Sequence, residues 1–169
     1  AREKEERYII EDDYDSEFRY YGKPIPALQG IDESDKVIYM GTFSKAIAPA
    51  IRIGYMVLPK SLVPAYRKTA GIFSCAVSRI DQSVLTSFLS EGHFERHLNR
   101  MRNVYKEKHD LLIQKLKEID SRITVYGAGA GLHVRVDFPI QDTRRFEKEL
   151  LKRGVRIYPL SMYYIDGGP

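Results

Sequence analysis

A chain of 169 residues that is 43% hydrophobic and 30% charged can bury a core of its own, which excludes a disordered tail. Its net charge of +4 admits an acidic partner, but no base-reading motif accompanies it, and the Lys and Arg between Glu91 and Lys117 read first as the solvated face of a long helix. Cys75 is the only cysteine, so no internal disulfide forms, and every apolar run is too short to span a membrane. The opening AREKEERYII has no apolar stretch behind its charges, so no secretory signal is visible and a cytoplasmic protein is expected.

Residues 2–7 read as the tail of a charged helix or an exposed connector. Tyr8, Ile9 and Ile10 then run into Glu11, Asp12 and Asp13, a short apolar strand ending in acids. After Pro24, Pro26 and Gly30, residues 37–40 form a second such strand, and residues 51–58 a third, stopped by Pro59. Runs apolar on both faces predict strands buried inside an α/β sheet. Residues 64–70 and 78–89 have helical composition. Phe94, Leu98, Met101, Tyr105, Leu112, Leu116 and Ile119 recur at helical spacings, predicting one apolar stripe on a helix on the order of 40 Å long.

Strands are expected at 123–126 and 132–138, an amphipathic helix at 143–153 closed by Gly154, and a last strand at 155–158. The chain then reaches Asp166 and Pro169 without a closing element. The organisation is α/β, with a strand-rich part over 1–90, a long connecting helix over 91–119 and a smaller α+β unit over 120–169. Too few helices flank the early strands to cover both sheet faces, which predicts a further segment N-terminal to them.

Asp12 and Tyr14 lie two apart in an extended chain, so their side chains share one side, while Asp13 faces away. They stand at the C-terminal end of a strand, where open α/β sheets bind ligands. Lys45 lies just past the end of the next strand, flanked by Thr42, Ser44 and Arg52. If the two strands are parallel neighbours, Asp12, Tyr14 and Lys45 open onto one crevice. These residue types suit pyridoxal 5'-phosphate. An amine captures an aldehyde, a carboxylate keeps a pyridine nitrogen protonated, and a phenol bonds the ring's 3-oxygen. A guanidinium with two hydroxyls suits a phosphate dianion.

The segment Gly41-Thr-Phe-Ser-Lys45-Ala-Ile-Ala-Pro-Ala-Ile-Arg52-Ile-Gly54 resembles the Schiff-base signature of fold-type I, class I/II aminotransferases. The stretch from Ile9 to Tyr20, with those from Gly129 to His133 and Gly154 to Ser161, is similar to one branch. That branch is the aminotransferase-like domain of MocR-type members of the GntR bacterial transcription regulators, the gamma-aminobutyrate-responsive one among them. The resemblance implies that Asp12 meets the pyridine nitrogen, Tyr14 the 3-oxygen, Lys45 the aldehyde, and Thr42 with Arg52 the phosphate, Ser44 helping. It also implies a homodimer and DNA binding through a separate N-terminal winged helix-turn-helix. Family members carry an earlier phosphate loop, an aromatic residue stacked on the ring and an asparagine near the 3-oxygen; none matches here, so a fragment that alone binds the cofactor poorly is expected. No arginine matches the family's C-terminal carboxylate grip securely, Arg135 and Arg156 being weak candidates.

Other patterns carry less. His93 and His97 have the spacing of a zinc pair, but Phe94 stands where a metalloprotease has Glu, and a helix surface is the simpler reading. Asp13, Asp15 and Glu17 alternate like the start of a calcium loop, yet Phe18 replaces its required glycine. Gly127, Gly129 and Gly131 precede a strand where a dinucleotide fingerprint needs a helix. His133, in a strand, reads as a packing or hydrogen-bonding residue.

Three functions compete. The first is an effector-sensing domain that holds pyridoxal phosphate on Lys45, takes an amino compound as an external aldimine and passes a conformational change to DNA-binding elements. The second is a working aminotransferase in which Lys45 also moves a proton. The third is a basic helical interaction module without a cofactor.

Overall fold

The computed structural model describes residues 7–127 and 129–165. The charged run before Arg7 and the terminal residues 166–169 lie outside the described residues. A three-stranded sheet comes first, in the order β1 (Ile9–Asp13), β2 (Val37–Thr42) and β3 (Gly54–Val57). Strands β1 and β2 are parallel, with Ile9 opposite Val37 and Asp13 opposite Gly41; β3 returns antiparallel, with Thr42 opposite Gly54. Asp32 sets the entry to β2, because its carboxylate accepts from the backbone N–H groups of Ser34, Lys36 and Val37. Those three bonds hold its carboxyl below the usual carboxylate range, the Lys36 bond most.

Three differences from the sequence reading have physical causes. The third strand starts at Gly54, not Ile51, because Pro49–Ile51 wind into a 3-10 turn and Arg52 takes a left-handed backbone. Sheet faces expected to be buried are open: Ile10 is 64% exposed, and Tyr55, Met56 and Val57 are exposed along β3. Residues 155–158 form no ladder among the described residues, so the last expected strand is absent there.

Helices follow. Helix α1 (Phe43–Ala46) is a single turn after β2, α2 (Val63–Thr69) and α3 (Arg79–Ser90) come next, and α4 (His93–Ile119) runs 27 residues. Ser78 caps α3 by accepting from Asp81 N at 3.0 Å. The stripe on α4 is buried at Leu98, but it then drifts round to His109, which leaves Leu112 and Ile119 exposed. Which part of the stripe is covered depends on its partners, since Phe18 meets Tyr105 and Tyr20 meets His109.

Strands β4 (Thr124–Tyr126) and β5 (Arg135–Asp137) pair antiparallel, shorter than the 132–138 run expected. Helix α5 (Thr143–Lys152) is capped by Asp142, which accepts from Arg145 N at 2.9 Å, and is closed by Gly154 N donating to Leu151 O. Phe138 and Phe146 hold α5 against this hairpin, their rings 5.0 Å apart. The tightest burial among the described residues lies at Phe18, which meets Tyr105 of α4 edge-on at 5.2 Å and so docks the segment after β1 onto the long helix.

Candidate cofactor site

Topology gathers the polar residues. Asp12 and Tyr14 stand at the C-terminal end of β1, and Thr42 ends its parallel neighbour β2, leading into Ser44 and Lys45. Antiparallel β3 begins at that same end, so Arg52, two residues before it, joins them. All six residues singled out in the sequence therefore stand along one edge of one sheet. Asp12, Tyr14, Lys45 and Arg52 are exposed, while Thr42 and Ser44 are half-buried.

The strand alternation separates the neighbouring acids. Asp13 turns to the other side, where it accepts from Tyr39 OH at 2.8 Å and from Ser16 Oγ at 2.6 Å. Burial, and then the bond to Asp13, pushes the Tyr39 phenol well above its ordinary value and keeps it a donor. The acids of the calcium-like pattern diverge in the same way. Asp15 accepts from Leu132 N at 3.0 Å, and burial pushes the Glu17 carboxyl up. Among the described residues no cluster of three or more His, Cys, Asp or Glu could hold a metal ion; His93 sits between Glu91 and Arg96 instead.

The lysine turn rests on fixed backbone. Thr42 Oγ1 accepts from Ser44 N at 3.1 Å and donates to Ile53 O at 3.2 Å, and Phe43 N donates to the same carbonyl at 2.9 Å. These bonds join the turn carrying Lys45 to the residue after Arg52. Phe43 packs on Tyr55 at 5.3 Å and on Phe94 of α4 at 6.0 Å, which supports the turn from below. Gly41 admits this arrangement, since a Cβ there would overlap the Tyr55 ring, with the hydroxyl oxygen at 2.6 Å. Arg52 has φ 50 and ψ 33, a left-handed backbone costing a non-glycine residue about 1 kcal/mol.

The donor set fits pyridoxal phosphate. Amine, carboxylate, phenol, guanidinium and hydroxyl stand at one strand edge. Among the described residues no carboxylate lies within ion-pair distance of Lys45 or Arg52, which leaves both cations for an anion. The Thr42 hydroxyl is already engaged twice and so serves the turn first.

A residue that the sequence reading set aside also belongs here. His133 lies 6.4 Å from Tyr14, ring to ring and edge-on, with Nδ1 3.8 Å from Asp15 Oδ2. A pocket of about 490 Å³ opens beside them, bordered in part by Arg135, Arg156, Tyr158 and Tyr163. Arg135 is occupied, lying 4.1 Å over the Tyr126 ring and 3.6 Å from Asp137. Nothing local in the sequence marks His133, because it meets Tyr14 across more than a hundred residues of chain.

A parallel strand pair with a reversed third strand and a lysine turn at their common edge has the architecture of the fold-type I pyridoxal-phosphate-dependent transferases. The solved neighbours share it. Kynurenine aminotransferase of Pyrococcus horikoshii superposes with a TM-score of 0.84 at 27% identity, over 96% of this chain and 41% of that one. LysN of Thermus thermophilus, an α-aminoadipate aminotransferase solved with a phosphopyridoxyl-leucine adduct, gives 0.77 at 25%, over 95% and 42%. The chain belongs to the aminotransferase class I and II family, whose model matches residues 8–168.

Curated relatives named as regulators are more similar in sequence. The transcriptional regulator YdeL of Bacillus subtilis is 40% identical over 160 residues, 93% of this chain and 34% of the relative. The probable rhizopine catabolism regulatory protein MocR of Rhizobium meliloti is 37% identical over 173 residues, 99% of this chain and 34% of the relative. The chain thus spans about a third of the length of these relatives.

Proposed function

We propose that this chain is the pyridoxal-phosphate-binding, effector-sensing part of a bacterial transcription regulator. The observation that carries the cofactor reading is the single sheet edge shared by Asp12, Tyr14, Lys45 and Arg52. The likeness to YdeL and MocR over more than nine-tenths of the chain supports the regulatory reading. In this proposal Lys45 holds the cofactor's aldehyde carbon, and Asp12 and Tyr14 orient the ring from β1. Arg52, aided by Ser44 and Thr42, binds the phosphate. When bound, the cofactor supplies an electrophilic carbon for a free amine and a ring that takes up electron density. An amino compound would compete with the Lys45 amine for that carbon, leaving the lysine as a free amine, and its differential affinity for two arrangements of the protein would shift their balance.

The proposal extends to the whole protein. Residues 1–90 belong to the cofactor-binding part, 91–119 to the connecting helix and 120–169 to a smaller unit. The full-length protein is a cytoplasmic homodimer that meets DNA through a separate N-terminal domain. Among the described residues no helix is long and apolar enough to cross a membrane. The effector is placed only in the class of amino compounds. The name of MocR cites rhizopine catabolism, and gamma-aminobutyrate gains no support from it.

Borohydride reduction of the full-length protein with pyridoxal phosphate, followed by peptide mass analysis, tests the cofactor reading. The cofactor mass is expected on the peptide containing Lys45, and its absence sinks the proposal. A second reading, a working aminotransferase, is favoured by the aminotransferase neighbours. Repeated turnover of an amino donor with a keto acid would select it. A single stoichiometric spectral change on adding the amine, altering DNA affinity, supports the sensor.

A further inference from the structure

Tyr14 is the one residue of the site whose ring is met by a side chain from the far part of the sequence. His133 approaches it edge-on at 6.4 Å with the planes 69° apart. His133 is itself 69% exposed, so packing alone does not hold it there. Its backbone is held instead: Asp15 Oδ2 accepts from Leu132 N at 3.0 Å, and Gly131 N donates to Phe18 O at 2.8 Å. Gly131 has φ +83, and a Cβ on it would stand 3.0 Å from Asp15 Oδ2, so the close approach requires glycine. The Asp15 carboxylate also faces His133 Nδ1 at 3.8 Å, beyond a direct hydrogen bond.

We infer that Asp15 and His133 are positioning residues for Tyr14: the carboxylate clamps the Gly131–Leu132 turn, and the imidazole so placed fixes the direction of the phenol at the cofactor edge. This rests on the proposed cofactor reading. Through the same clamp, residues 129–132 are tied to the residue next to Tyr14, so a movement of either is felt by the other. Among the described residues, Arg135 from β5, and Arg156, Tyr158 and Tyr163 from the segment after α5, also border the pocket beside His133.

The test uses the full-length protein loaded with pyridoxal phosphate and follows the pH midpoint of the visible band of the lysine-held cofactor. His133→Ala and Asp15→Ala are expected to move the midpoint in the direction that Tyr14→Phe moves it, by up to about one pH unit. His133→Phe keeps a ring against Tyr14 and is expected to restore the wild-type midpoint. In a Tyr14→Phe background the two alanine changes add nothing further. Wild-type midpoints in both alanine variants, or shifts that persist in full without the Tyr14 hydroxyl, overturn the inference while leaving cofactor binding intact. A wild-type protein with no visible band and no mass on Lys45 overturns both this inference and the reading beneath it.

Discussion

Thr42 donates its hydroxyl to the carbonyl of Ile53 at 3.2 Å, bridging the residue before the lysine turn to the residue after Arg52. The same oxygen accepts from Ser44 N at 3.1 Å, so one side chain fixes both ends of the turn. Thr42→Val keeps the shape and removes both bonds, and it is expected to cost about 1 kcal/mol of stability, the usual loss for a helix N-cap. Thr42→Ser is expected to restore most of it. Urea unfolding of the three proteins measures the difference, and equal midpoints for wild type and Thr42→Val would show that the bridge does not hold the turn.

Arg52 pairs a charge with a strained backbone, and the two are separable. Glycine adopts φ 50 without penalty. Arg52→Gly is therefore expected to leave stability unchanged or raise it by up to about 1 kcal/mol, while pyridoxal phosphate binds more weakly. Arg52→Lys retains charge but not the two-pronged geometry, and its affinity should fall between. Thermal unfolding without cofactor and equilibrium dialysis with it supply the two readings. A stability loss in Arg52→Gly would assign the residue a packing role instead.

Neighbouring acids of β1 are expected to behave oppositely. Asp13→Asn weakens the bonds to Tyr39 and Ser16, and should cost about 1–2 kcal/mol of stability as charge-assisted bonds are lost. Asp12→Asn should leave stability within about 0.5 kcal/mol and lower cofactor affinity. Denaturant titrations of both variants check the split, which reversed effects would refute.

On α4, Lys106 donates to Asp110 at 2.7 Å and to Tyr21 OH at 2.9 Å, and Tyr21 OH donates to Asp110 at 2.8 Å. Bonds from Lys106, His109 and Tyr21 hold the Asp110 carboxyl well below the usual range. The bond to Asp110, then that to Tyr21, holds the Lys106 ammonium well above its own. The Asp110 contribution is thus present above the unfolded-state carboxylate value and lost as pH falls through the lowered folded value. The Lys106 contribution is present below the unfolded-state lysine value and lost as pH rises through the raised one. The stability difference between wild type and Asp110→Asn should shrink on acidification below about pH 4. A difference that instead grows toward low pH would contradict the assignment.

What was legible in the sequence follows from short-range chemistry. The α/β class, the lysine turn and the separation of Asp12 from Asp13 depend on residue type and on the two-residue period of a strand, which no distant contact alters. The Gly154 stop after α5 is local in the same sense.

Only the tertiary structure decided the rest. Arg52 comes to the sheet edge because β3 returns antiparallel, and its left-handed backbone shortened the strand expected from residue 51. The stripe on α4 turns to His109 because its partners, Tyr20 and Phe18, come from the segment after β1. His133 reads as an ordinary strand residue until the Asp15 clamp brings it beside Tyr14, where Leu132 N donates to the Asp15 carboxylate and Gly131 N to Phe18 O. Composition and spacing carry the chemistry of each side chain, but which side chains meet depends on strand order and register, quantities that belong to the whole chain.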